Sequence, residues 1–119
     1  MDKILKQALL YDFYGELLTE HQKSIYEDFV LNDYSLSEIG EDRSISRQGV
    51  YDIIKRCDKL LNGYEEKLHL IQKFLTAKEQ VAEIHAYASG IKETDCTPEK
   101  MTEYLQHIEN ISNSILEEM

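Results

Sequence analysis

The chain has 119 residues, enough for one modest core and a helical appendage but too few for a two-lobed enzyme with a cleft between the lobes. Thirteen Lys and Arg against 23 Asp and Glu leave a net charge of -10, which repels nucleic acid and anionic membranes over most of the surface, so any polyanion contact must be local. One Pro, five Gly, 42% apolar and 30% charged residues exclude a disordered chain and predict a strongly helical one, because little interrupts a 3.6-residue period.

No stretch approaches the roughly 20 apolar residues of a membrane helix, and MDKILKQALLYDFY lacks both a long apolar segment and a small-residue cleavage site. The expectation is a cytoplasmic, uncleaved protein without a membrane partner. Cys57 and Cys96 fit neither metal-ligand spacing nor a disulfide framework, so two reduced thiols are expected.

The first sixty residues read as short helices. Ile4/Leu5 with Ala8/Leu9, Phe13/Tyr14 with Leu17/Leu18, and Ile25/Tyr26 with Phe29/Val30 each repeat at helical spacing, giving one buried face per helix. Thr19 with Gln22 and Ser35 with Glu38 fit the capping box, so new helices are predicted near residues 20 and 36.

From Val50 an apolar stripe runs through Ile54, Cys57, Leu61, Tyr64, Leu68, Ile71, Leu75, Lys78, Ala82 and His85 at alternating spacings of four and three. The phase persists across Asn62-Gly63, which predicts one long helix over about residues 46–88, bent at most at Gly63 and about 65 Å long. Thr97-Pro98-Glu99 predicts the last helix, with a seam of Met101, Tyr104, Ile108, Ile111 and Ile115. A short loop between two such helices favours an antiparallel hairpin. The extra apolar residues Phe74, Val81, Ile84, Leu105 and Leu116 favour a homodimer or a partner helix, and Leu68, Ile71, Leu75, Ile108, Ile111 and Ile115 are the candidate interface.

The informative stretch is YSLSEIGEDRSISRQGVYDIIKRCDKLL, residues 34–61. It has helix-turn-helix form: a capped helix with Leu36 and Ile39 inward, small Gly40 at the close approach, a turn at about 43–45, and a second helix opened by Ser46. On that recognition helix, about 46–62, Arg47, Gln48, Tyr51, Asp52 and Lys55 point outward and can hydrogen-bond base edges or stack, while Arg56 and Lys59 can reach phosphates. Residues 43–59 hold five cations against Asp52 and Asp58, a net +3 within the acidic whole. From pattern alone, a nucleic-acid surface and a solvated face of a tri-helical scaffold have equal weight.

The same stretch resembles region 4 of bacterial sigma factors. LLYDFYGELLTEHQKSIYEDFVLNDYSLSEIGE followed by ISRQGVYDIIKR and KLLNGYEEKL resembles the YlxM-type helix-turn-helix family, associated with the signal recognition particle, over roughly residues 8–70. The resemblance implies a small bacterial regulator of co-translational targeting that meets the particle's RNA, its GTPase, or both. The family's recognition-helix pattern maps onto Ser46, Arg47, Gln48, Val50, Tyr51, Asp52, Lys55 and Arg56, whereas Gly49, Ile53 and Arg43 depart from it.

No phosphate loop, HExxH or GxSxG motif is present, and His21, His69, His85 and His107 lack metal spacing, so no catalytic residue, metal or cofactor is expected. His85 is expected on the helix seam, partly buried. Taken together, the reading is an all-α fold: a sigma-region-4-like helix-turn-helix bundle over 1–62, then a helical hairpin and dimerisation extension over 63–119 continuous with the recognition helix. The expected function is a non-enzymatic regulator of the signal recognition particle pathway. The alternatives are a transcriptional regulator reading duplex DNA with helix 46–59 and an acidic protein-interaction adaptor.

Overall fold

A computed structural model describes residues 2–119. The helices are α1 (Lys3–Tyr14), α2 (Glu20–Val30), α3 (Leu36–Arg43), α4 (Arg47–Leu68), α5 (Leu70–Ile91) and α6 (Pro98–Glu118), with a 3-10 turn at Gly15–Leu17 and no strand among the described residues. The all-α expectation holds. Both capping boxes form as read: Thr19 Oγ1 accepts from Gln22 N at 3.2 Å and Gln22 Oε1 from Thr19 N at 3.0 Å, while Ser35 and Glu38 exchange the same pair at 3.1 Å. Each satisfies backbone donors that a helix start leaves orphaned.

The chain divides into two compact units, Met1–Ile71 and Gln72–Met119. In the first, α1 to α4 enclose one core of Leu10, Tyr14, Leu18, Ile25, Tyr26, Val30, Ile39, Val50, Ile54, Cys57 and Leu61. The inward row of α4 is the predicted stripe, since Val50, Ile54, Cys57 and Leu61 repeat at four, three and four. Polar groups at the core edge are paired. Asp58 accepts from Gln7 Nε2 at 3.0 Å and from the Tyr26 hydroxyl at 2.7 Å, and the rings of Tyr11 and Tyr26 stack at 5.8 Å.

The predicted single helix over 46–88 is corrected. Helix α4 runs straight through Gly63 and stops at His69, which takes the left-handed conformation with φ 55°. Two side chains favour the break, Tyr14 from α1 and Glu65 from the last turns of α4 itself. The Tyr14 hydroxyl donates to Glu65 and accepts from Leu70 N at 3.2 Å, and Glu65 Oε1 accepts from Ile71 N at 3.0 Å. The first two backbone donors of α5 are thus satisfied by side chains, one of them 56 residues away in sequence.

Breaking the helix resets its phase. Within the second unit α5 and α6 run antiparallel: Gln80 Nε2 bonds Ser114 Oγ at 3.4 Å, while Tyr87 stacks on His107 at 4.7 Å and packs on Tyr104 at 5.6 Å. Gln80, Tyr87 and Gly90 face α6, whereas Lys78, Ala82 and His85, predicted for the seam, are exposed. Burial of His85 is therefore also corrected. Of the six candidate interface residues, Ile71 is buried in the first unit, Leu68 is exposed, and Leu75, Ile108, Ile111 and Ile115 are half-buried.

Candidate nucleic-acid interface

The α3–turn–α4 corner is built by backbone economy. Gly40 lies so near the turn that a Cβ there would stand 2.5 Å from Ile45 O, and Ile45 N donates back to Gly40 O at 2.9 Å. Ser44, with φ 56°, caps α3 in the left-handed region, and Ser46 Oγ caps α4 by accepting from Gly49 N at 3.0 Å. Gly49, unusual inside a helix, leaves room for Ile45, whose Cγ2 would be 2.9 Å from an added Cβ. The turn thus occupies residues 44–46, one residue later than predicted, with Arg43 ending α3.

This corner sets Arg47 and Gln48 in the first turn of α4, with Tyr51, Lys55, Arg56 and Lys59 following on its outer side. All six are exposed. Gln48 Nε2 donates to Asp52 Oδ1 at 3.0 Å, and Lys55 Nζ sits 5.4 Å from the centroid of the Tyr51 ring. The ammonium over the ring face is a cation–π contact that holds both side chains along the helix. Arg47, Lys55, Arg56 and Lys59 have no carboxylate partner among the described residues.

Two charges counted in the basic island are directed elsewhere. Arg43 Nη2 lies 2.7 Å from Asp28 Oδ2, tying α3 to α2. Asp58 turns its carboxylate to Gln7 and Tyr26. The outer face of α4 over 47–59 is left with four cations against one carboxylate, Asp52. The folded chain therefore keeps the net positive charge of this face.

Sequence reasoning missed Lys67. It lies in the last turns of α4 and, with Arg56, Lys59, Leu60, Gly63 and Tyr64, lines an open groove of about 430 Å³. A domain boundary drawn at residue 62 hid it, although the unbroken phase across Asn62-Gly63 was the available signal. A smaller cavity of about 170 Å³ lies where Lys3, Ile4 and Gln7 of α1 meet Tyr51, Ile54 and Lys55. No group of His, Cys, Asp and Glu that could hold a metal exists among the described residues. Burial, reinforced by the Asp58 charge, pushes the Cys57 thiol up to about 11, which leaves it protonated and unreactive at neutral pH.

A short capped helix, a three-residue turn closed on a glycine and a second helix presenting unpaired cations define a helix-turn-helix protein. The comparison with known proteins agrees. The chain belongs to the UPF0122 family, described as "Putative helix-turn-helix protein, YlxM / p13 like", whose model matches residues 1–111. It is 55% identical over 84 residues to a UPF0122 protein of Acetivibrio thermocellus, covering 71% of this chain and 72% of the relative. It is 44% identical over 116 residues to one from Thermoanaerobacter sp. strain X514, covering 98% and 96%. With the UPF0122 protein YlxM of Bacillus subtilis it shares 41% identity over 111 residues, covering 93% and 97%.

Proposed function

We propose that this chain is a non-enzymatic cytoplasmic regulator that binds nucleic acid through the outer face of α4. As the family resemblance implies, it works in the signal recognition particle pathway, with the particle's RNA, its GTPase, or both as partners. The observation that carries this reading is the set Arg47, Lys55, Arg56 and Lys59, exposed and without carboxylate partners among the described residues, on a chain of net charge -10. Four exposed cations on one helix of an otherwise acidic molecule favour a local polyanion contact.

The chain acts as a homodimer through its second unit. Helix α6 has no fully buried residue, and Val81, Leu105 and Leu116 are 54–66% exposed, more apolar surface than a two-helix hairpin covers by itself. A second copy doubles the cationic contacts, which a four-cation face needs for useful affinity.

Titration of the full chain with the particle's RNA, its GTPase and promoter-like duplex DNA over a salt series tests the reading. RNA binding whose logarithm falls by about 0.9 or less per phosphate contacted per logarithm of salt supports it. A flat response to both nucleic acids rejects it. Preferred duplex binding at half-sites an integral number of turns apart would instead identify a transcriptional regulator. Tight GTPase binding insensitive to reversal of Arg47 and Lys55 would identify an acidic adaptor, since residues 72–119 carry nine carboxylates against four lysines.

A further inference from the structure

We propose that the groove on the C-terminal half of α4 seats one unpaired nucleotide of an RNA, with its phosphate among Arg56, Lys59 and Lys67 and its base against Leu60 and Tyr64. The inference rests on α4 being a nucleic-acid surface, and assigns to its far end a ligand class different from a duplex backbone.

At four of the five glycines an added Cβ would crowd a neighbour at 2.5–2.9 Å: the backbone of Ile45 at Gly40, and the side chains of Tyr11, Ile45 and Tyr104 at Gly15, Gly49 and Gly90. Gly63 differs. A Cβ there would meet nothing within 4 Å, so the interior of a 22-residue helix carries a weak helix former that the fold does not need. What its missing side chain does is hold open the floor of the 430 Å³ groove. A local rule broken without structural gain is expected where function sets the residue.

The walls of that groove match the two halves of a nucleotide. Arg56, Lys59 and Lys67 are exposed and have no carboxylate partner among the described residues, so they are available to a phosphate. Leu60 is 39% exposed. The half-buried Tyr64 ring is held on one side by Tyr14 at 6.0 Å. A fixed aromatic beside an aliphatic side chain suits the flat face of an unstacked base, whereas a paired duplex presents only phosphates and sugars to such a surface. Arg47 lies nine residues before Arg56, about two and a half turns N-terminal and on the opposite side of the helix, so a contact at Arg47 is separable from the groove by mutation.

The test compares a hairpin RNA carrying an unpaired loop with a fully paired RNA duplex of the same stem, using the full chain and fluorescence anisotropy. Gly63→Leu fills the groove and Lys67→Gln removes one cation while leaving the floor open. Gly63→Leu is expected to weaken hairpin binding about tenfold, the effect of losing one stacked base, Lys67→Gln to weaken it about threefold or more by removing one phosphate contact, and both to leave duplex binding within about twofold. Equal losses on both RNAs would show a general phosphate contact and overturn the seat. Unchanged hairpin affinity in both variants would also overturn it, while a loss caused by Arg47→Glu in the same assay would keep the helix-turn-helix reading. Absence of binding to either RNA overturns both. Lys67→Gln lies at an exposed site, so the test stands even if Gly63→Leu perturbs folding.

Discussion

Arg43 reaches Asp28 across 2.7 Å, and through that pair the first helix of the helix-turn-helix is fastened to α2. Both side chains are less than a third exposed, so the pair is better shielded than a surface bridge. Arg43→Ala and Asp28→Ala are each expected to destabilise the first unit by about 1–3 kcal/mol, with a coupling of about 1 kcal/mol in a double-mutant cycle read by urea denaturation. Arg43→Ala should leave RNA affinity nearly unchanged despite removing a cation. A large affinity loss without a stability change would return Arg43 to the interface.

Gly63 and Gly40 should respond oppositely to the same substitution. Gly63→Ala is expected to stabilise the chain by about 0.5–1 kcal/mol, because the helix gains propensity and the new methyl meets nothing. Gly40→Ala places a carbon 2.5 Å from a backbone carbonyl and must displace the turn, which should cost about 2 kcal/mol or more. Thermal melts of the two variants check both signs.

The break at His69 depends on Tyr14 and Glu65. Tyr14→Phe removes the acceptor of Leu70 N and the donor to Glu65, and should destabilise by about 1–2 kcal/mol. Hydrogen exchange at the Leu70 and Ile71 amides should accelerate more than at Val50 or Ile54. Uniform acceleration would mean that Tyr14 contributes only through packing.

Alkaline pH should unfold the first unit early. Burial raises the Cys57 thiol from 9.0 to about 11, so the folded state retains a proton that the unfolded chain releases. That contribution is complete below about pH 9 and is lost as pH rises through about 11, amounting to on the order of 2 kcal/mol. Tyr14 and Tyr26 are also pushed up, first by burial and then by bonds to Glu65 and Asp58, and add in the same direction above pH 10. Urea midpoints should therefore fall from pH 9 upward. At pH 8, Cys96 should react with a thiol reagent at once and Cys57 only on unfolding.

Charge reversal tests the proposed nucleic-acid face of α4 against the rest of the surface. Arg47→Glu with Lys55→Glu should lower RNA affinity by a factor of about 10³ or more at low salt, since two favourable contacts become two repulsive ones. Reversal of two exposed lysines of the second unit, Lys73 and Lys78, should change it little. Similar losses from both pairs would show a response to net charge alone.

Much of this molecule is written in local chemistry. Thr19 and Ser35 announce their helices because a hydroxyl three residues before an amide or carboxylate closes a capping box without tertiary help. Gly40 and Ser46 mark the corner, and a period of 3.6 selects Val50, Ile54, Cys57 and Leu61 as the inward row of α4. The same period puts Arg47, Tyr51, Lys55 and Lys59 outside, so the candidate surface was legible before any fold was known. What local pattern could not supply were contacts between residues far apart in sequence. The Tyr14 hydroxyl and Glu65 carboxylate cap α5 and let His69 break a helix whose apolar phase ran on unbroken. The new phase turns Gln80 and Tyr87 rather than Lys78 and His85 toward α6. Likewise, only packing decides that Arg43 and Asp58 serve α2 and α1, leaving four cations on the outer face of α4. The sequence by itself determined the capped starts of α2, α3, α4 and α6 and the buried face of α4, because those follow from neighbours within one or a few turns. Tertiary structure decided where the long stripe breaks and which charges remain free, because both depend on side-chain oxygens brought in from elsewhere in the chain.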